Sequence, residues 1–139
     1  MTAARTWPAV LLAVALASCS KSTDRPATYP ITGRVLYEGR PASGAVVILH
    51  RADGANTSER PRAKADAQGE FTLTTFTTGD GAPAGEYAVT VEWRRADDHP
   101  EQGVDLLPPS YSDPKTSKLK VTIAGGSNEP LVLKLTRKP

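Results

Sequence analysis

The sequence predicts an all-β domain, a seven-stranded Greek-key β-sandwich, behind a short N-terminal leader. Three observations carry this. Apolar and polar residues alternate in segment after segment between Tyr29 and Leu135, the two-residue period of half-buried strands. Turn-forming residues recur between those segments, with 12 prolines and 11 glycines in 139 residues, which suits many short strands better than helices. Outside the leader, no stretch carries apolar residues at helical spacing.

The leader comes first in the chain. Arg5 supplies a positive start, and Val10 to Leu16 supplies an apolar run of the length expected for an export signal. A bilayer span needs roughly 20 apolar residues, so this run is too short to be one. Ala17 and Ser18 are small enough to enter a peptidase groove, and the next residue, Cys19, is the one cysteine of the chain. Leu16-Ala17-Ser18-Cys19 resembles the lipobox of bacterial lipoproteins. The resemblance implies a signal peptide over residues 1–18, recognised at Leu16, Ala17 and Ser18, and a lipid thioether on Cys19. A thiolate is the common side chain nucleophilic enough for that alkylation. One acyl chain binds a membrane only marginally, but each buried methylene adds about 0.8 kcal/mol, so two or three chains hold firmly. Ser20, by the same resemblance, directs the protein to the outer membrane rather than the inner, facing the periplasm or the exterior.

Removing the leader leaves roughly 120 residues, one domain by length. The formal charge of +2 falls by one with the loss of Arg5, which implies no nucleic-acid or acidic-polymer partner. With Cys19 committed to lipid no disulfide is available, so the fold rests on its core. Residues 19–28 read as the lipidated terminus and a polar, flexible tether, and residues 29–137 as the domain.

Within the domain, Ile31, Gly33, Val35 and Tyr37 share one strand face, Thr32, Arg34 and Leu36 the other, and Glu38 to Pro41 turns the chain. Gly44 to His50 is a continuous apolar run, expected of a strand covered on both sides or central in its sheet. A polar loop from Arg51 to Pro61 leads to a short strand near Arg62–Asp66. Asp66 to Gly69 is a hairpin turn by its chemistry, with an Asp that can bond the backbone ahead and a Gly free to take positive φ. Glu70 to Thr75 follows with Phe71 and Leu73 inward, then a Gly- and Pro-stiffened loop from Gly79 to Gly85. The longest strand places Tyr87, Val89, Val91 and Trp93 on one face. Lys118–Thr122 and Leu131–Leu135 alternate again, either side of Gly125 to Asn128.

Three stretches together resemble the carboxypeptidase regulatory-like domain, of transthyretin-like (prealbumin-like) fold. They are Gly33 to Val47, Ala65 to Leu73 and Pro83 to Val91, and Leu107-Pro-Pro-Ser-Tyr111 to Ser117 is similar to a segment of small lipoproteins bearing that domain. The resemblance covers nearly all of Tyr29 to Leu135, mostly in turn glycines and core apolar residues. It implies a β-sandwich of transthyretin-like type, a non-catalytic accessory or adhesive module without a cofactor.

Catalytic sets are not legible. Hydroxyisourate hydrolase, an enzyme of related fold, uses two histidines, an arginine and a C-terminal Tyr-Arg-Gly-Ser; this chain ends Leu135-Thr-Arg-Lys-Pro139, with His50 closing an apolar strand and His99 in a polar loop. A zinc carboxypeptidase site needs His-x-x-Glu, which is missing from the sequence. Asp97-Asp98-His99 with Glu101, and Asp66-x-Gln68-x-Glu70, lack the alternating oxygen spacing of a calcium loop; a solvated loop end and a turn explain them. Trp93 and Tyr87 would form a carbohydrate platform if exposed, but their parity with Val89 and Val91 predicts that they are core. The long connection from Ala96 to Thr116 remains the candidate partner-contact loop, carried by Asp97, Asp98, His99 and Tyr111, with Tyr111 also suited to packing over the end of the domain. The expected partners are the membrane, through the N-terminal lipid, and an envelope protein or polysaccharide.

Overall fold

The computed structural model describes Ala3 and residues 24–55, 58–94 and 103–139. Apart from Ala3, the leader lies outside these residues, as do Leu16, Ala17, Ser18, Cys19, the tether up to Thr23, and Asp97, Asp98 and His99.

The described chain is all-β, with strands β1 (Thr28–Tyr29), β2 (Thr32–Tyr37), β3 (Arg40–Pro41), β4 (Val46–Arg51), β5 (Arg62–Lys64), β6 (Glu70–Thr72), β7 (Ala82–Pro83), β8 (Gly85–Glu92), β9 (Lys120–Ile123) and β10 (Leu131–Leu135). Seven of these span three residues or more, and they are the seven that the alternation predicts. The other three are two-residue pieces that periodicity cannot register.

One sheet is built on β2. Ile31, Gly33 and Val35 are buried while Thr32 and Arg34 are exposed, so the predicted alternation holds. β10 runs parallel along one edge of β2 from Gly33 to Tyr37. The other edge is shared: β6 takes Thr32 to Arg34 and β3 takes Leu36 and Tyr37, both antiparallel. Between β2 and β3, Glu38 and Gly39 both have positive φ, 48° and 78°, the signature of a tight two-residue turn that follows the right-handed strand twist.

The second sheet has the order β5-β4-β8-β9, antiparallel throughout. The apolar run does lie centrally: Val47 and Leu49 are fully buried, and Val46 and Ile48 half-buried on the outward face. On β8, Tyr87, Val89 and Val91 point into the core. Val35, Phe71, Leu133 and Leu135 from the first sheet join Val47, Leu49, Val89 and Ile123 from the second in one cluster. Two sheets thus enclose one core, an arrangement consistent with a β-sandwich.

One expectation holds and three are corrected. The turn at Asp66 forms as its chemistry predicts, the Asp66 carboxylate accepting from the N–H groups of Gln68 and Glu70, each at 2.9 Å. It closes a short hairpin, in which the Asp66 N–H donates to the Glu70 carbonyl at 2.8 Å and Arg62 and Thr74 exchange backbone bonds at 3.0 and 2.9 Å as an antiparallel bridge. Because β5 also pairs with β4 and β6 with β2, the same turn is the corner that links the two sheets. The loop from Gly79 to Gly85 contains β7, which pairs antiparallel with β1 as a small third sheet. Thr28, expected in the tether, is therefore part of the body. Trp93 is half-buried rather than core, since it lies one residue past the last ladder pair of β8, Val46 with Glu92.

Candidate binding site

The site grows from the end of β4. β5 accompanies β4 only as far as Ile48, and beyond the bond from the Leu49 N–H to the Pro61 carbonyl at 2.9 Å the described loop residues Gly54, Ala55, Ser58, Glu59 and Arg60 are separated from the strand. That separation opens a cavity of about 770 Å³, within the size range of small-molecule sites. Leu49, Phe76, Pro83 and Tyr87 form its apolar lining; Asp24, Arg25 and Pro26 form one wall, and Glu59 and Arg60 stand on another.

Local chemistry fixes these side chains. The Tyr87 hydroxyl donates to the Pro83 carbonyl at 2.8 Å, and burial pushes its phenol up from the ordinary value. Arg51 lies 5.9 Å over the Tyr87 ring and grips Asp53, with Nη2 to Oδ2 at 2.6 Å and Nε to both carboxylate oxygens at 3.1 Å. The Arg51 contact, helped by the Ala55 N–H, holds the Asp53 carboxyl down at about 2. Phe76 is set by Asp80, whose carboxylate accepts from the N–H groups of Thr75, Phe76 and Thr77 at 2.7, 3.0 and 3.1 Å. Burial would raise the Asp80 pKa, but those three donors outweigh it and leave it lowered. Over Phe76 stands the Arg25 guanidinium, 5.2 Å from the ring centre, a favourable cation–π separation.

His50 sits beside this group with Nε2 2.8 Å from Thr90 Oγ1. Burial lowers its pKa, and the positive charge of Arg60 lowers it further, so the imidazole is neutral at pH 7 and available for hydrogen bonding. Arg51 is answered by Asp53, whereas neither Arg25 nor Arg60 has an ion-pair partner among the described residues. The cavity therefore offers two planar cations without an ion-pair partner among the described residues, and a neutral imidazole, above an apolar lining. That set suits binding.

The residues singled out in the sequence fall elsewhere. Leu16, Ala17, Ser18, Cys19, Asp97, Asp98 and His99 lie outside the described residues. Tyr111 is turned inward, 4% exposed, and its hydroxyl accepts the Thr136 N–H at 2.9 Å; of its two candidate roles the structure supplies packing. Tyr87 is core as expected. Trp93 donates its indole N–H to the Ser43 carbonyl at 2.8 Å, and its ring is tilted 60° against Tyr37, so the two rings present no flat sugar platform. Among the described residues no group of three or more His, Cys, Asp or Glu gathers to hold a metal, and no helix is long and apolar enough to cross a membrane.

The cavity residues escape a reading of the sequence because they come from four separated segments. Arg25 is hidden in an apparent tether. The one local sign is Arg51-x-Asp53-Gly54 directly after an apolar strand, a charged turn that pins its own arginine. No family model, curated protein or solved structure matches this chain.

Proposed function

We propose that the mature chain is a lipid-anchored, non-catalytic binding or structural module of the cell envelope, a Greek-key β-sandwich of transthyretin-like type. The observation that carries this reading is Leu16-Ala17-Ser18-Cys19: the chain's one cysteine directly follows an apolar run and two small residues, with the all-β body beginning at Thr28. Two four-stranded sheets around one core are in keeping with the transthyretin-like subtype. Support for a binding role comes from the cavity, where two guanidinium groups and an imidazole converge above an apolar lining.

The anchor is tested by metabolic labelling with a palmitate analogue. Wild-type chain is expected to incorporate label and Cys19→Ser to lose it; equal labelling of the two overturns the anchor. Sedimentation with membranes follows the same pair, and the Cys19→Ser chain is expected in the soluble fraction.

A further inference from the structure

Because β1 is paired to β7, the residues just before it are laid along the mouth of the cavity instead of trailing from the body. Arg25 is carried there, with its guanidinium carbon 5.2 Å from the centre of the Phe76 ring. A guanidinium presents a planar fork of N–H donors, which suits a tetrahedral or planar oxyanion better than the point charge of a lysine would. Arg60 stands on a neighbouring wall, near enough to His50 to disfavour its protonation. The third guanidinium, Arg51, is closed off by Asp53. Two carboxylates, Asp24 and Glu59, also line the space. They oppose a ligand of high negative charge, so the lining favours a monoanion over a dianion.

We infer that this cavity binds a phosphodiester group, with Arg25 and Arg60 holding the anionic oxygens, His50 as a neighbouring hydrogen-bonding group, and Leu49, Phe76 and Tyr87 receiving the organic substituent. A phosphodiester is a monoanion at neutral pH, carries apolar substituents, and offers two unesterified oxygens to two guanidinium forks. Its source is either a free diester or a phospholipid headgroup. The second source rests on the anchor reading: Cys19 and Arg25 are six residues apart, which limits their separation to roughly 20 Å. The first does not, so failure of the anchor and failure of the site are separable.

The full-length Cys19→Ser chain in solution, titrated with dimethyl phosphate, provides the test. Saturation transfer to the probe's methyl protons and perturbation of the His50 and Arg side-chain NMR signals are the readouts. Saturable binding is expected, with Arg25→Gln and Arg60→Gln each weakening it about tenfold, the worth of one charge-assisted hydrogen bond. Arg60→Lys is expected to retain part of it, and Arg34→Gln, on the outer face of β2, all of it. Methyl phosphate, a dianion, is expected to bind more weakly. Absence of saturable binding overturns the site, as does binding that both glutamine variants leave unchanged while near-ultraviolet circular dichroism shows them folded. Wild-type lipidated chain in phosphatidylglycerol vesicles then separates the sources: probe excluded there but bound in solution identifies the headgroup as occupant, and equal binding in both identifies a free diester.

Discussion

Where β8 finishes, polar side chains are turned onto backbone. Trp93 donates to Ser43, Tyr111 accepts from Thr136, the Glu38 carboxylate accepts the Arg137 N–H at 2.6 Å, and Asp105 accepts from Trp93 and Leu107 at 3.0 Å each. Where β8 begins, the charged groups face a cavity, and two arginines stand over aromatic rings. One end is closed by satisfying the orphan groups of strand termini, as a buried backbone requires. The other keeps two guanidinium groups, Arg25 and Arg60, without an ion-pair partner among the described residues. A buried ring and side chains bonded to backbone mark the first as structural, even with the buried Ser110 Oγ beside Tyr111 lacking a partner among the described residues. Guanidinium groups beside apolar walls mark the second as the place for a ligand.

The largest expected effect tests the closed end. Tyr111→Ala removes a buried ring and is expected to cost about 3–5 kcal/mol in urea unfolding. Tyr111→Phe keeps the ring and loses the hydroxyl acceptor; since Thr136 is exposed, water replaces that bond and the expected cost is below about 1 kcal/mol. The ratio of the two separates packing from hydrogen bonding. A cost below about 1 kcal/mol for Tyr111→Ala would mean that this end is not held by the ring.

Next comes the strap beside the cavity. Gly81 has a φ of 85°, and a Cβ there would collide with the Tyr29 carbonyl. Gly81→Ala is therefore expected to cost about 1–3 kcal/mol and to unpair β1 from β7. Hydrogen exchange should report it as faster exchange at β1 and β7 with the β4–β8 ladder unchanged. If the Asp24–Pro26 wall depends on that pairing, affinity for dimethyl phosphate falls as well. Uniform loss of protection across both sheets would show that the two ends are not independent.

Much of the body is legible in the sequence. Alternation at Ile31 to Tyr37, at Phe71 and Leu73, and at Leu131 to Leu135 places the inward residues correctly, because each is a strand with one buried face. What escapes is set by partners instead of period. β1 and β7 are two residues long and exist through each other, with Pro30 and Pro83 masking them as loop. Trp93 keeps the inward parity of Val91 but falls beyond the ladder that would have covered it. The cavity is non-local in the same sense, since Arg25 and Phe76 are 51 positions apart and meet through the β1–β7 pairing.

A smaller effect is expected from His50. Its pKa is lower in the folded chain than in the unfolded one, so the unfolded state takes up the proton first and stability declines as pH falls below about 6.5. The loss stops once pH is below the folded value too. Its slope is bounded by one proton, about 1.4 kcal/mol per pH unit, and the partial exposure of His50 reduces it further. Subtracting the profile of His50→Gln isolates this term from the carboxylates. A difference profile that rises on acidification would mean that the neutral imidazole is not the folded form, and that an anion already sits beside it.

The smallest stability effect carries the sharpest test of the open end. Asp53 is exposed, and solvent-screened surface ion pairs add little to stability, so Asp53→Ala is expected to leave the urea midpoint nearly where it is. Its carboxylate nevertheless occupies the fork of Arg51 through three contacts. Removing it frees a third guanidinium that is already oriented over Tyr87, so the cavity should bind dimethyl phosphate more tightly and discriminate less against methyl phosphate, the dianion. Stability and affinity then move apart in one variant, which a purely structural ion pair does not allow. If Asp53→Ala loses stability and gains no affinity, Arg51 belongs with the closing contacts of the other end, and the contrast between the two ends narrows to Arg25 and Arg60.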